Sequence, residues 1–548
     1  MAFRKPVFLY LLAFLLLCTA VTTGAQQNAP LPKAVSQITE DGLRFHLNVI
    51  ATDETEGRNT PSPGVNIVAR YLATVAERYG LKPVMPGGSY FQNIPLDLTL
   101  VSESKSRLRV LSPTGETVFY CPQSFFGATA GVWTGDIVFV GSGLSLPDKG
   151  WDDYDKLNLA GKVVINLEVP EGAPQRKDQA LMRTRTAMPQ TKGARLILTV
   201  ISPEREKDMA SRGMEFQNVP RVALPATYPT TRSSPPPQQT APPSAPPSAP
   251  PMATVEIRHD VAANILGIGQ SELDKMFDSI SSGKQVPGKA LSQRIELSVI
   301  TEKRPGSSPN VLAVMEGSDP VLKSEYVVIG AHHDHLGIRG GKVLNGADDD
   351  GSGSVGMLEI AKALAVEKPK RSVILAWFTG EERGLLGSHY FVNNCPVPLE
   401  KITANLNLDM ISRNDPDSLF LIASDNLSKE LDASIRAMND RYSKLKFDYA
   451  YNTRDRSKDP GGFYYRSDHY PFIRAGIPAV WLFCGTTPDY HTPNDVIARV
   501  DFKKMEKVTR MTYLVACDIG NKPDLLKLDA NPEVTRRGLH NTAVDTIR

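Results

Sequence analysis

The spacing of apolar residues along the chain changes character twice. Between about 35 and 85 it is helical: in VNIVARYLATVAERYG, Ile67, Tyr71, Leu72 and Val75 recur at i, i+4, i+5 and i+8, one face of a helix. Gly80 is placed to cap that helix, and EGRNTPSPG (Glu56–Gly64) supplies turn signals before it. From about 95 to 300 come short β-rich runs, LRVL, GDIVFVG, GKVVINLEV and ARLILTVIS, separated by Gly, Pro and Asp clusters. They predict a separate β-rich domain. From about 295 strand and helix alternate. EYVVIGAHH, SVILAWF, ITANLNLDM and IPAVWLF are continuous apolar runs suited to buried strands, and SVGMLEIAKALAVEK reads as a helix. That alternation predicts an α/β domain with helices covering a mostly parallel sheet.

Two segments fall outside these periodicities. Residues 1–25 carry Arg4 and Lys5, an apolar stretch from Val7 to Val21, and the small-residue site Thr23-Gly24-Ala25, the pattern of a secretory signal cleaved near Ala25. The apolar stretch is ~15 residues, short of the ~20 that span a bilayer. Arg232–Met252 is a Pro/Ala/Ser tract that cannot bury a core and predicts an exposed loop. The expected organisation is therefore signal 1–25, N-terminal helical part 26–94, β-rich domain 95–294 with the proline loop at 232–252, α/β domain 295–522, and a tail 523–548.

Charge narrows the partners. The 548 residues hold 62 Lys plus Arg against 60 Asp plus Glu, and removing Arg4 and Lys5 with the signal leaves 60 against 60. No whole-chain field recruits nucleic acid or an anionic membrane. After signal cleavage no segment is long and apolar enough for a stable membrane span. Cys121, Cys395, Cys484 and Cys517 would remain, far apart and without a C-x-x-C pair, so three disulfide pairings stay open and a thiolate metal site is not expected.

The chemistry-bearing residues gather where strands or helices meet loops. One strand ends at His332, followed by His333, Asp334 and His335. Asp348, Asp349 and Asp350 precede a helix, Glu381 and Glu382 follow a strand, Asp409 ends another, and His491 lies in a post-strand loop. Ligands of open α/β sheets collect beyond the carboxyl ends of the strands, so these segments can converge although 159 positions separate His332 from His491. Two imidazoles with several carboxylates and no thiolate suit zinc, manganese or cobalt in a hydrolytic site. Of two adjacent glutamates, one can bind a metal while its neighbour acts as a base. Taken singly, a His-x-Asp, a DDDG turn, an exposed EE or the SDH of Ser467–His469 is usually structural; it is their joint occurrence in this order that points to a site.

AHHDHLG, NGADDDGSG, FTGEERGLLGS, NLDM and DYHTPND resemble the signature segments of the zinc exopeptidases that include aminopeptidase Y, bacterial leucyl aminopeptidases and glutamate carboxypeptidase II. The resemblance implies a three-layer α/β/α catalytic domain, and the β-rich segment similarly resembles the protease-associated domain that some members carry as an insertion. It implies two Zn²⁺ ions per chain bridged by Asp349, with His332 and Asp409 completing one position and Glu382 and His491 the other. Glu381 would be general base and acid, and Asp334 would orient His332 through its other ring nitrogen. Tyr490 sits where some members place a phenol that stabilises an oxyanion. His333, His335 and Asp348 fall between the ligand positions, so metal contacts from them are not expected, and His335 stands where a small residue is common.

The function implied is that of an exported metallo-exopeptidase. It would hydrolyse N-terminal peptide bonds of peptides or proteins by a hydroxide on two zinc ions. A carboxypeptidase or dipeptidase on the same scaffold is the alternative, kept open by Arg413 and Arg466. From a different class, a metal-free receptor-like module should lack one of the ligands or the base, and none is missing. The loop Cys484–Asp489 carries Asp489 and no Arg or Lys, which suits a substrate ammonium better than a carboxylate.

Overall fold

The computed structural model describes residues 32–529 apart from 128, 212–218, 227 and 229–251. The signal segment and all but the last residue of the proline tract lie outside the described residues. Four buried strands form the centre of a ten-stranded sheet: Ser372–Phe378, Tyr326–His332, Ile402–Leu408 and Ala479–Phe483, in that spatial order and mutually parallel. They are the four apolar runs of the sequence, and every residue of the three besides Tyr326–His332 is buried. Alternate side chains serve opposite faces. Val327, Ile329, Val373, Leu375 and Trp377 pack into one core, whereas Val328, Ile374, Ala376 and Phe378 pack into the other. A period of two with both faces apolar requires a layer on each side. Helices Glu40–Ile50, Pro63–Arg78, Gly353–Val366 and Phe502–Asn521 contribute to the first core, and Leu386–Asn393 and His469–Arg474 to the second.

Outside this centre, among the described residues of this sheet, only Ser418–Ile422 with Lys446–Asp448 at the sheet's edge pairs parallel. Thr301–Met315 joins Ser372–Phe378 antiparallel, Phe91–Val101 joins Thr301–Met315 antiparallel, and Ser418–Ile422 joins Ala479–Phe483 antiparallel. The sheet is mixed. The early helices start where their sequence provides caps: Thr39 accepts from Gly42 N–H, and Ser62 accepts from Val65 N–H ahead of Pro63. In Pro63–Arg78 the buried stripe is Val65, Val68, Leu72, Val75 and Ala76, while Ile67 is 56% exposed. The expected face is thus rotated, because Val65 and Val68 dock on the core where Ile67 was placed.

A second sheet of eight strands runs from Arg107 to Val299 with its own core. LRVL, GDIVFVG, GKVVINLEV and ARLILTVIS give its strands Arg107–Ser112, Gly131–Phe139, Val163–Leu167 and Leu196–Val200. This unit also holds helices Gln179–Thr191, His259–Leu266 and Gln270–Ser281, so it is not purely β. Its edges differ from the expected 95–294, because Phe91–Val101 and Thr301–Met315 pair with each other in the large sheet along their shared length. Arg221–Ala223 also leaves the unit and pairs with Asp97–Thr99. At the other end residues 523–529 pack onto the α/β domain: Leu526 is buried, its N–H donating to Thr403 Oγ1. Among the described residues no helix is long and apolar enough to cross a membrane. Cys121, Cys395, Cys484 and Cys517 are all free thiols.

Candidate metal centre

The four parallel strands end on one side, and the register sets His332 level with Phe378 and Leu408 level with Leu482. Beyond these ends lie Glu381 and Glu382, Asp409 and the loop carrying His491. The turn Ala347–Ser352 brings Asp349 to the same place, just before helix Gly353–Val366. Gly353 permits this entry, since a Cβ there would sit 2.2 Å from Leu408 O.

Asp349 faces both ways. Its Oδ1 is 3.2 Å from His332 Nε2, and its Oδ2 is 3.1 Å from His491 Nε2. Asp409 Oδ1 lies 3.6 Å from His332 Nε2, and Glu382 Oε1 lies 3.2 Å from His491 Nε2. Donors around one tetrahedral ion at ~2.0–2.2 Å stand roughly 3.3 Å apart, so both sets have the spacing of zinc ligands. His332, Asp349 and Asp409 form one compact group; Asp349 and Glu382 form a second, joined there by His335, whose Nδ1 is 2.9 Å from Glu382 Oε1. Glu381 is set back, with Oε2 at 4.0 Å from His332 Nε2.

The electrostatics call for positive charge at this point. Burial opposes charge on the His491 imidazole, yet the Glu382 and Asp349 carboxylates push it up to about 10. His332 is likewise held well above its ordinary range by Asp409, Asp334 and Asp349 against burial. Burial drives the Glu381 carboxyl well above the ordinary range, reinforced by Glu382 and Asp409. Four crowded carboxylates in a dry crevice are costly without cations to offset them, so the donor set fits two divalent ions.

A ring of buried partners fixes these side chains. His332 Nδ1 donates to Asp334 O at 3.0 Å; the Asp334 carboxylate is farther, at 3.7 Å, and instead accepts from Glu381 N–H at 3.1 Å. Asp334 thus orients His332 through its main chain and Glu381 through its side chain. Asp350 accepts from the N–H groups of His332, Gly353 and Met410. Asp495 accepts from Asp348 N–H at 2.9 Å and Asp349 N–H at 3.1 Å, tying the His491 loop to the Asp349 turn. Ser467 Oγ donates to Asp409 Oδ2 at 2.5 Å. Fully buried Arg58 donates to the carbonyls of Ile50, His333, Asn345 and Gly346.

Arg58 lies far from the site in sequence, whereas Asp495 lies within DYHTPND, four residues after His491, with nothing in that spacing to show that it accepts from the Asp349 turn. Ser467 stood in the SDH noted as a possible turn. His333 and His469 stay neutral, burial pushing them down to about 4 and about 3. Asp489 is already paired with Arg413 at 2.5 Å. It is therefore not the free acid assumed for a substrate ammonium, and Arg413 is no free receptor for a carboxylate. The Tyr490 ring stacks on His491 with centroids 3.7 Å apart, its hydroxyl accepting from Arg466 at 3.0 Å. Burial, with Asp349 and Glu382 nearby, raises that phenol far above its ordinary value.

A small recess at the centre is lined by Met410, Phe463, Trp481, Phe483, Arg466 and Tyr490 together with the clustered ligands. A larger cleft of about 750 Å³ runs from Glu382, Arg383 and Gly384 to Arg221–Leu224.

Residues 310–516 match the family described as peptidase family M28. Among curated proteins, the probable leucine aminopeptidase 2 of Arthroderma benhamiae is 28% identical over 299 residues, 49% of this chain and 56% of its own length. The probable leucine aminopeptidase 2 of Aspergillus oryzae is 33% identical over 239 residues, 42% of this chain and 46% of its own. The chain spans about half the length of the curated relatives it matches. Among solved structures, the aminopeptidase from Aneurinibacillus sp. strain AM-1 aligns at TM-score 0.54 and 17% identity, covering 91% of this chain and 98% of that one. BSAP, a zinc aminopeptidase from Bacillus subtilis, aligns at TM-score 0.51 and 15% identity, covering 91% and 99%. Likeness at such identities is one of fold. The segment that matches the family model contains all of the residues gathered at the strand ends, from His332 to His491.

Proposed function

We propose that this chain is an exported zinc-dependent aminopeptidase. The observation that carries the reading is Asp349, whose two oxygens face separate histidines, each set completed by a further carboxylate. Two zinc ions held by His332, Asp349 and Asp409, and by Asp349, Glu382 and His491, would polarise a peptide carbonyl and make water more acidic. The names of the relatives, leucine aminopeptidases among them, support an N-terminal exopeptidase.

The chain's own groups supply the rest. Glu381, set back from the ligand atoms and raised by burial, accepts the proton of the attacking water and returns it to the leaving amine. The Glu381 N–H to Asp334 bond holds that carboxyl in place. Tyr490, kept protonated by burial, donates toward the developing oxyanion. Met410, Phe463, Trp481 and Phe483 give the wall beside the ligands an apolar surface for the first side chain. The larger cleft leads away the remainder of the peptide.

Arg466 favours the second reading, a carboxypeptidase or dipeptidase, because a guanidinium lining the recess can pair with a terminal carboxylate. Hydrolysis of one peptide in free, N-acetylated and C-amidated forms separates the two. The aminopeptidase loses the acetylated substrate and keeps the amidated one; the opposite pattern would overturn this reading. Sequencing the N-terminus of the exported protein checks processing near Ala25.

A further inference from the structure

His335 is the member of the cluster that the five-ligand scheme leaves unused. Its side chain is fully buried, and its Nδ1 lies 2.9 Å from Glu382 Oε1 and 3.8 Å from Asp349 Oδ2. The His335 and His491 rings meet edge to face, centroids 5.8 Å apart. Glu382 Oε1 is thus close to His335 Nδ1 on one side and, at 3.2 Å, to His491 Nε2 on the other, yet none of these three atoms makes an aligned hydrogen bond. His335, Asp349 and Glu382 each offer a donor atom within 4.8 Å of the other two. That is how donors around one cation are arranged.

The backbone places His335 there deliberately. Its N–H donates to Arg58 O at 3.1 Å, and it bridges Asn59 as a parallel β-pair. Its ring also occupies room that only a glycine leaves: Gly346 has φ +54°, and a Cβ on it would stand 2.6 Å from the ring.

We propose that His335 is a fourth protein ligand at the Glu382–His491 metal position. The inference rests on the two-ion reading above and goes beyond it, because it makes the two positions unequal. Asp349, Glu382, His491 and His335 would give this position four protein donors, whereas His332, Asp349 and Asp409 give the other three. The four-donor position binds its ion more tightly and exchanges it more slowly.

The test uses the zinc-loaded full chain dialysed against a graded series of chelator concentrations, with zinc per chain measured by elemental analysis. The wild type should release its ions in two steps, separated by at least about tenfold in chelator concentration. In His335→Ala the tight step should move to the weak one, and His335→Cys, which restores a donor, should recover part of the separation. Simultaneous release from the wild type, or a tight ion retained by His335→Ala, would overturn the proposal. X-ray absorption of the zinc-loaded wild type needs no variant: three imidazoles per two ions supports His335 as a ligand and two overturns it. Uptake of fewer than two ions by the wild type would instead refute the two-ion reading, and this inference with it.

Discussion

Ser467 Oγ donates to Asp409 Oδ2 at 2.5 Å, so a residue 58 positions downstream holds one proposed metal ligand in place. Ser467→Ala should weaken zinc binding about 10–100-fold, the usual effect of losing a partner of a ligand. Competition with a zinc-sensing dye would show it, and an unchanged affinity would mean Asp409 is positioned by other contacts.

The adjacent glutamates should fail in different ways. Glu382→Ala should lose zinc, whereas Glu381→Ala should keep both ions and lose turnover by about 10²–10⁴-fold, the worth of general acid–base help. Zinc content and kcat measured on the same samples decide it. Parallel metal loss in both variants would reverse the assignment.

Removing the ions should make stability fall with rising pH. Without cations, His491 is held up to about 10 and His332 also above its ordinary range, so folded protein binds protons that the unfolded chain, with imidazoles near ~6.5, has lost. Their contribution is complete below that value and disappears as pH climbs through the folded value. The raised carboxyls of Glu381 and Asp409 act in the same direction. Melting temperatures of chelator-treated protein should therefore drop between pH 6.5 and 9, with a flatter profile after zinc is restored. An identical profile for both forms would contradict this account.

Tyr490→Phe removes the phenol but keeps the ring stacked on His491. Loss of one oxyanion donor should lower kcat about 10²–10³-fold with little change in KM. A rise in KM alone would assign Tyr490 to substrate binding.

The four described cysteines should resist modification in the native state. Burial pushes Cys121 up to about 11 and Cys395, Cys484 and Cys517 up to about 12. At pH 8 that leaves a thiolate fraction of ~10⁻³ or less. A thiol reagent should label them only after denaturation, and intact mass should show no disulfide among them.

The proposed ligands were legible because each sits in a short segment where a strand or helix meets a loop. Most of the central strands were legible too, since burial on both faces favours an apolar run, although Ile402–Leu408 buries Thr403, Asn405 and Asn407 as well. What escaped depends on distance along the chain. The pairing of Phe91–Val101 with Thr301–Met315 bridges two hundred positions or more and leaves no local trace, so the β-rich unit's edges were misplaced. Arg58 lay within a segment read only as turn signals. The rotation of the Pro63–Arg78 face reflects a choice among several apolar residues that only docking decides. His335 was read as lying between ligands because spacing says which strand end a histidine follows, not which way its ring turns.

The Arg58 side chain binds the carbonyls of His333, Asn345 and Gly346 from a turn more than 250 positions earlier. The stretch matching the family begins only at residue 310, so the recognisable unit and the self-sufficient unit are different objects. A fragment starting there would keep every proposed ligand and lack the guanidinium that gathers the loops carrying them. Ancestry is written in the second half of this protein, but the competence to assemble a metal centre is shared with its beginning.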